Sequence, residues 1–332
     1  MKRILFLAAL FASANAIAAE APPASAQDQP PHNNVKLWQD VRSGQPQFTT
    51  VRGVETGVLI QSRGETWREL RNGPVTLYGG ILLCVVLAAI AIFYKLRGAV
   101  KLKAPLTGRK MARFSYFERS VHWSMAGSFV ILALSGLNML FGKHLLLPLV
   151  GHEVFSWLAV LCKNLHNFVG PLFLFSIVVA FFLFVKDNIW RASDLHWIRT
   201  AGGLLSGSHV PAWRFNFGEK FWFWIGLVFV GLTISISGFV LDFANFAQGR
   251  SIMQTANIIH AVFALMFICM SLGHIYIGTI GMEGALDAMR TGYVDETWAR
   301  EHHELWFEEQ QRKTAARESG TAPASGEPAA QS

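Results

Sequence analysis

Five stretches of the chain carry no Lys, Arg, Asp or Glu: residues 72–94, 120–142, 164–185, 221–241 and 251–282. About 20 apolar residues cross the hydrocarbon core of a bilayer as a helix, and each run reaches that length. A bilayer admits only structures that satisfy their own backbone groups, namely helices and closed barrels. Continuous apolar runs lack the alternation of barrel strands, so the five runs are read as transmembrane helices. Composition agrees, with 52% of the 332 residues hydrophobic and 15% charged, against about 25% charged in soluble domains. A disordered chain is excluded and a water-soluble enzyme disfavoured. The expected fold class is an all-α integral membrane protein.

The net charge of +7 is unevenly placed. The connection 95–119 holds eight Lys and Arg and 186–220 holds five, whereas 143–163 holds two and 242–250 one. Basic connections stay in the cytoplasm. This is membrane topology rather than a nucleic-acid surface, and no nucleic-acid partner is expected. It places the N-terminal side of the first span outside and the C-terminus inside. The start of the chain agrees independently. Lys2 and Arg3, the apolar Ile4–Phe11 and the small pair Ala16 and Ala18 form a secretory signal peptide pattern over residues 1–19. Residues 20–71 are then an extracytoplasmic leader, with a short helix expected around Glu65 to Leu70. Residues 72–94 form an extra helix, 95–119 a basic cytoplasmic connection and 120–282 a four-helix core. Residues 283–332 form a cytoplasmic segment whose end, 312–332, reads as a disordered tail. Cys84, Cys162 and Cys269 form no C-x-x-C pair, so neither a disulfide framework nor a zinc or iron–sulfur site is expected.

Ionisable side chains inside spans are costly and mark functional sites. His122 lies in the second span, His166 in the third, and His260 and His274 in the fifth. With the direction above, His122 and His274 lie toward the cytoplasm and His166 and His260 toward the outside. The fourteen residues from His260 to His274 rise about 21 Å and return to within about 40° of the same direction. One layer can therefore pair His166 with His260, and the other His122 with His274. Histidine is a common axial ligand of haem iron, so two stacked haems fit the pattern. Interhelical hydrogen bonding or a proton relay remains the other reading. Gly136, Gly170, Gly238, Gly273 and Gly278 leave room for a macrocycle or for close helix packing.

Arg119-Ser-Val-His-Trp123 opens a span after a basic loop, Asn164-Leu-His166 precedes Gly170-Pro171, and His260 and His274 share the last span. With these motifs, residues 110–310 resemble the gamma subunit of membrane-bound respiratory formate dehydrogenase, a cytochrome b556 within the dihaem cytochrome b group. Lys186-Asp-Asn-Ile-Trp190 and Arg214-Phe-Asn-Phe-Gly-Glu-Lys220 favour that branch. The resemblance implies a four-helix dihaem bundle, here with one extra N-terminal transmembrane helix. It implies two b-type haems on His122, His166, His260 and His274, no catalytic residue in this chain, and quinone as electron acceptor near the cytoplasmic face. Asn216 is the match to an asparagine of the family's quinone pocket. The implied partners are an iron–sulfur beta subunit and a catalytic alpha subunit with a molybdenum or tungsten pterin, in a bacterial inner membrane.

Other readings stay open: the cytochrome b subunit of a nickel–iron hydrogenase, a stand-alone cytochrome b561-like carrier, or a non-redox anchor or transporter. Glu118, Arg119, Arg214, Asn216, Glu219 and Lys220 gather at the inner boundary, where a route for protons or an ordinary interface is expected. Arg113 and Arg119 are candidates for haem propionates. His196 and His209 could border the pocket. His144 and His152 lie in an outer connection. Trp123, Trp157 and Trp222 suit interface anchoring. For His302 and His303, in a charged tail, no metal role is expected.

Overall fold

The computed structural model describes residues 62–200, 202, 210–246 and 248–319, with 39, 42 and 43 as isolated positions. The chain divides into two units, 1–59 and 60–332. The expected signal peptide and most of the leader lie outside the described residues. Among the described residues, five helices are long and apolar enough to span a membrane: Gly64–Arg97, Tyr116–Leu145, Leu147–Phe184, Phe217–Asp242 and Arg250–Gly281. The fold is an all-α membrane bundle with one helix added before a four-helix core.

Local chemistry sets several of the boundaries. Ser115 begins the second span: its hydroxyl accepts from Glu118 N at 3.2 Å and the Glu118 carboxylate accepts from Ser115 N at 2.8 Å. This reciprocal Ser-x-x-Glu box satisfies two amides that a helix start leaves without partners. Asn216 and Glu219 repeat the device at the start of the fourth span. The first span joins helix Ser62–Leu70 to helix Thr76–Arg97 through a π turn over Arg71–Val75, which contains Pro74. Gly98 ends it with a φ of 68°, a backbone state that suits glycine.

Two expected boundaries are corrected. The connection 143–163 is mostly helical, because the third span begins at Leu147 and turns at Gly151 (φ 77°, ψ 172°) before running to Phe184. Residues 312–318, read as disordered, belong to helix Glu304–Glu318. At Lys143 and Lys163 charge marks where a bilayer could no longer surround the chain, not where the helix stops.

Serine hydroxyls inside the spans turn back onto their own helices: Ser128, Ser135, Ser176, Ser235 and Ser237 each donate to the carbonyl four residues earlier at 2.7–2.8 Å. That satisfies a polar group where water is absent. Val121, Phe173, Ile177, Ala180, Phe223, Leu227, Val230 and Phe267 form the bundle core. Phe267, seven residues from both His260 and His274, packs edge-on against Phe129 and Phe173.

A second core forms from the connection after the first span and the segment after the fifth. Strand β1 (Lys110–Ala112) pairs antiparallel with β2 (Tyr293–Asp295). Phe114, Ala288, Val294, Trp298, Ala299 and Trp306 pack together there. Gly292 (φ 90°) lets the chain pass close to Phe114, whose carbonyl would lie 2.7 Å from an added Cβ.

Candidate functional site

The four span histidines come together in two pairs. His166 and His260 have ring centroids 5.9 Å apart, and His122 and His274 6.4 Å apart. Each pair joins the fifth span to a different helix.

The His166–His260 pair is held by the same device on both sides. Ser135 Oγ donates its one hydrogen to Ile131 O at 2.7 Å, so toward His166 Nδ1, 2.8 Å away, it accepts. Ser237 Oγ likewise donates to Thr233 O at 2.7 Å. His260 Nδ1 then donates to Ile234 O at 3.0 Å, with Ser237 Oγ at 3.3 Å. With Nδ1 protonated on both rings, the lone pair of each neutral imidazole lies on Nε2, the form that ligates a metal. The residue after each serine is a glycine. An added Cβ on Gly136 would sit 3.2 Å from His166 Cε1, and one on Gly238 3.1 Å from His260 Cε1. Serine fixes the ring and glycine makes room for it. The repeated Ser-Gly dipeptides were the available sequence signal, but only their glycines were singled out.

A cavity of about 400 Å³ opens at this pair, bordered by both histidines, Gly136, Gly170 and Gly238. An added Cβ on Gly170 would meet nothing within 4 Å. Two imidazoles with free Nε2 atoms, glycine at both rings and an adjoining apolar cavity fit a flat macrocycle with two axial histidines. Among the described residues no group of three or more His, Cys, Asp or Glu could hold a metal ion. Axial ligation needs only pairs, because the macrocycle supplies the other donors.

The other layer is lined with aromatic rings. Trp222 lies flat on His274, centroids 4.8 Å apart and planes within 8°, and Trp123 stands edge-on to His122 at 5.3 Å. His122 Nδ1 is buried without a hydrogen-bond partner among the described residues. Trp222, expected only as an interface anchor, is thus a direct neighbour of a site histidine.

The carboxamide oxygen of Asn216 accepts from Glu219 N at 3.0 Å as a helix cap. The residue of this segment that meets His274 is Trp222. Around Asn216 the boundary charges are paired. Arg214 binds Glu118 at 2.8 Å and Asp187 at 2.6 Å, and Arg113 meets Glu219 at 3.2 Å. Lys220 and Asp194 form a buried pair at 2.7 Å. Burial lowers the Arg113 pKa to about 10, which leaves it charged at neutral pH. The propionate candidates are engaged by the protein itself: Arg119 donates to Met289 O and Arg290 O, and Arg113 to Arg214 O and Glu219.

His303 departs from the tail reading, since it is 1% exposed. Its Nδ1 donates to Trp213 O at 2.6 Å. Burial first, and then the Arg113 charge, hold its pKa well below the usual histidine value. His196 is exposed, and His209 lies outside the described residues.

The four histidines lie within a stretch that matches a known family. The profile of one family, prokaryotic cytochrome b561, matches residues 113–292, more than half of the chain. The chain belongs to that family. Haem binding in general goes with membership of this cytochrome b561 family. Among its relatives is the formate dehydrogenase cytochrome b556(fdo) subunit of Escherichia coli K12, 30% identical over 213 residues, 61% of this chain and 95% of that protein. The nitrate-inducible formate dehydrogenase cytochrome b556(Fdn) subunit of the same strain is 25% identical over 224 residues, 64% of this chain and 96% of that one. The formate dehydrogenase cytochrome b556 subunit of Haemophilus influenzae is 25% identical over 203 residues, 58% and 80% respectively. The N-terminal span of this cytochrome b561 family member, Gly64–Arg97, lies outside the residues that match the family profile.

Proposed function

We propose that this chain is the membrane anchor and dihaem cytochrome b subunit of a respiratory formate dehydrogenase. The observation that carries the reading is the two-layer arrangement: His260 and His274 on one helix, each facing a histidine from another. The similarity to formate dehydrogenase subunits supplies the donor. His166 with His260 would hold one b-type haem and His122 with His274 the second. When bound, these haems pass electrons one at a time between the two faces of the bilayer.

The protein's part is to bind, orient and exclude water. Ser135 and Ser237 keep Nε2 of the His166–His260 pair available, and the glycines beside them keep the rings in place. Phe267 and its aromatic neighbours fill the space between layers without polar groups. The positive-inside count supports placing the His166–His260 layer outside, beside an iron–sulfur partner that receives electrons from a pterin-containing subunit. The His122–His274 layer then faces the cytoplasm. Quinone reduction there takes two electrons and two protons, the protons from the cytoplasmic side. Asn216 and His274 are assigned to the quinone pocket, with Trp222 as its stacked wall and Glu219 as an acid that touches Asn216. On this reading residues 1–19 are a signal peptide, 20–71 an extracytoplasmic leader and 283–332 a cytoplasmic segment.

The test is purification of the complex through a tag on this chain. Formate should reduce its b-type absorbance, and a quinone analogue should reoxidise it. Asn216→Ala should slow the second step and spare the first. Reduction by hydrogen but not formate would assign the chain to a hydrogenase. Purification alone, with haem and no dehydrogenase, would make it a stand-alone carrier.

A further inference from the structure

The N-terminal span lies outside the residues that match the family profile, yet it reaches the His166–His260 cavity. Arg71, in the π turn of that span, lines the cavity together with both histidines. Three contacts fix it there. Arg71 Nη2 donates to Met139 O of the second span at 3.3 Å. Trp67 Nε1 donates to Asn257 Oδ1 of the fifth span at 3.1 Å, and Asn257 lies one helical turn before His260. Gly79 is buried against Leu265 so closely that an added Cβ would overlap its side chain. The span therefore bridges the two helices that supply Gly136 and His260.

The charges at this end of the cavity are unequal in their pairing. Lys163 and Asp242 both line it, and Asp242 is hydrogen-bonded to Asn167 and lies near Lys163. Among the described residues, the side chain of Arg71 donates to neutral oxygens, Met139 O and Asn72 Oδ1, the latter at 3.0 Å. A guanidinium at the membrane boundary whose partners are neutral oxygens can still take a carboxylate. A b-type haem carries two carboxylates, and carboxylates in such surroundings need cations that can bind them with matched hydrogen bonds.

We propose that the N-terminal span is part of the cofactor site, with Arg71 as the cation for the propionate carboxylates of the haem held by His166 and His260, and Lys163 as a second, already shared one. The proposal rests on the haem reading of that pair. It gives the added helix a role in tuning the cofactor as well as in packing. Arg71 is a cofactor-binding residue that the four-helix core cannot supply.

Redox titration of the purified full-length complex separates the possibilities. In wild type two b-type haems should titrate. Arg71→Gln removes a positive charge and so favours the oxidised state. It should shift the reduction equilibrium of one haem about tenfold, or 59 mV for one electron, toward lower potential. That haem should be the one lost in His166→Ala. Arg71→Lys should restore most of the shift. Two haems with unchanged midpoints in Arg71→Gln would overturn the proposal. If Arg71→Gln loses haem altogether, retention in Arg71→Lys supports the charge role, and equal loss in Arg71→Lys overturns it. A folded wild-type protein without haem, or one whose haems survive His166→Ala, would instead overturn the underlying haem reading.

Discussion

The hydroxyl of Ser135 accepts the Nδ1 hydrogen of His166 at 2.8 Å, because its own hydrogen is committed to Ile131 O. The hydroxyl, with Leu132 O as a second acceptor, thus sets the tautomer and the orientation of a proposed ligand. Partners of this kind typically change metal affinity or activity 10- to 100-fold when removed. Ser135→Ala should leave the bundle folded and speed haem loss from the His166–His260 layer by roughly tenfold in a haem-transfer assay. Ser237→Ala should have a similar effect, because each ring keeps one backbone carbonyl as a partner, Leu132 O for His166 and Ile234 O for His260. Equal haem retention in wild type and Ser135→Ala would remove serine from the account.

Acid should weaken the second core, after the fifth span, through His303. Burial, with the charge of Arg113, holds this ring neutral in the folded protein, whereas an unfolded histidine takes up a proton near pH 6.5. Below that pH the unfolded chain binds more protons than the folded one, so stability rises with pH there. It is level above about pH 6.5 and falls as pH drops through it, by up to about 1.4 kcal/mol per unit. In His303→Asn, whose amide can still donate to Trp213 O, the melting temperature should fall less between pH 7.5 and 5.5. An unchanged pH slope would show that His303 does not govern it.

Lys220 and Asp194 have side chains only 4% exposed and lie 2.7 Å apart. Removing one partner of a buried pair leaves a charge without compensation, at a cost of about 3–5 kcal/mol. Lys220→Met should therefore lower the unfolding midpoint sharply. Lys220→Met combined with Asp194→Leu should recover much of the loss, though not the Arg191 N–H bond that Asp194 accepts at 2.7 Å. A double variant less stable than Lys220→Met would contradict this.

The spans and the histidine pairing were legible in the sequence because both depend on coarse quantities: charge-free length and a fourteen-residue spacing on one helix. The helix starts at Tyr116 and Phe217 were written in Ser115-x-x-Glu118 and Asn216-x-x-Glu219. What was not legible depends on contacts between distant segments or on altered helical registers. Trp222 opens a π-helical segment, Trp222–Gly231, where the 100° step no longer tells which neighbour a side chain meets. His303 sits in a polar stretch and is buried only because Trp298, Trp306 and Arg113 are brought around it. Helix Leu147–Phe184 continues well before the apolar run at 164, since charged residues limit membrane immersion more than helix formation.

The central claim is that His166 with His260 and His122 with His274 are two separate axial pairs. Its most direct test is a pyridine haemochrome assay with a protein count, on the purified wild type and on alanine variants of each histidine. The account predicts two b haems per chain in wild type. His166→Ala and His260→Ala should each lose the same one, and His122→Ala and His274→Ala the other, as distinguished by redox midpoint. Folded protein without haem, or full haem content in all four variants, would contradict it.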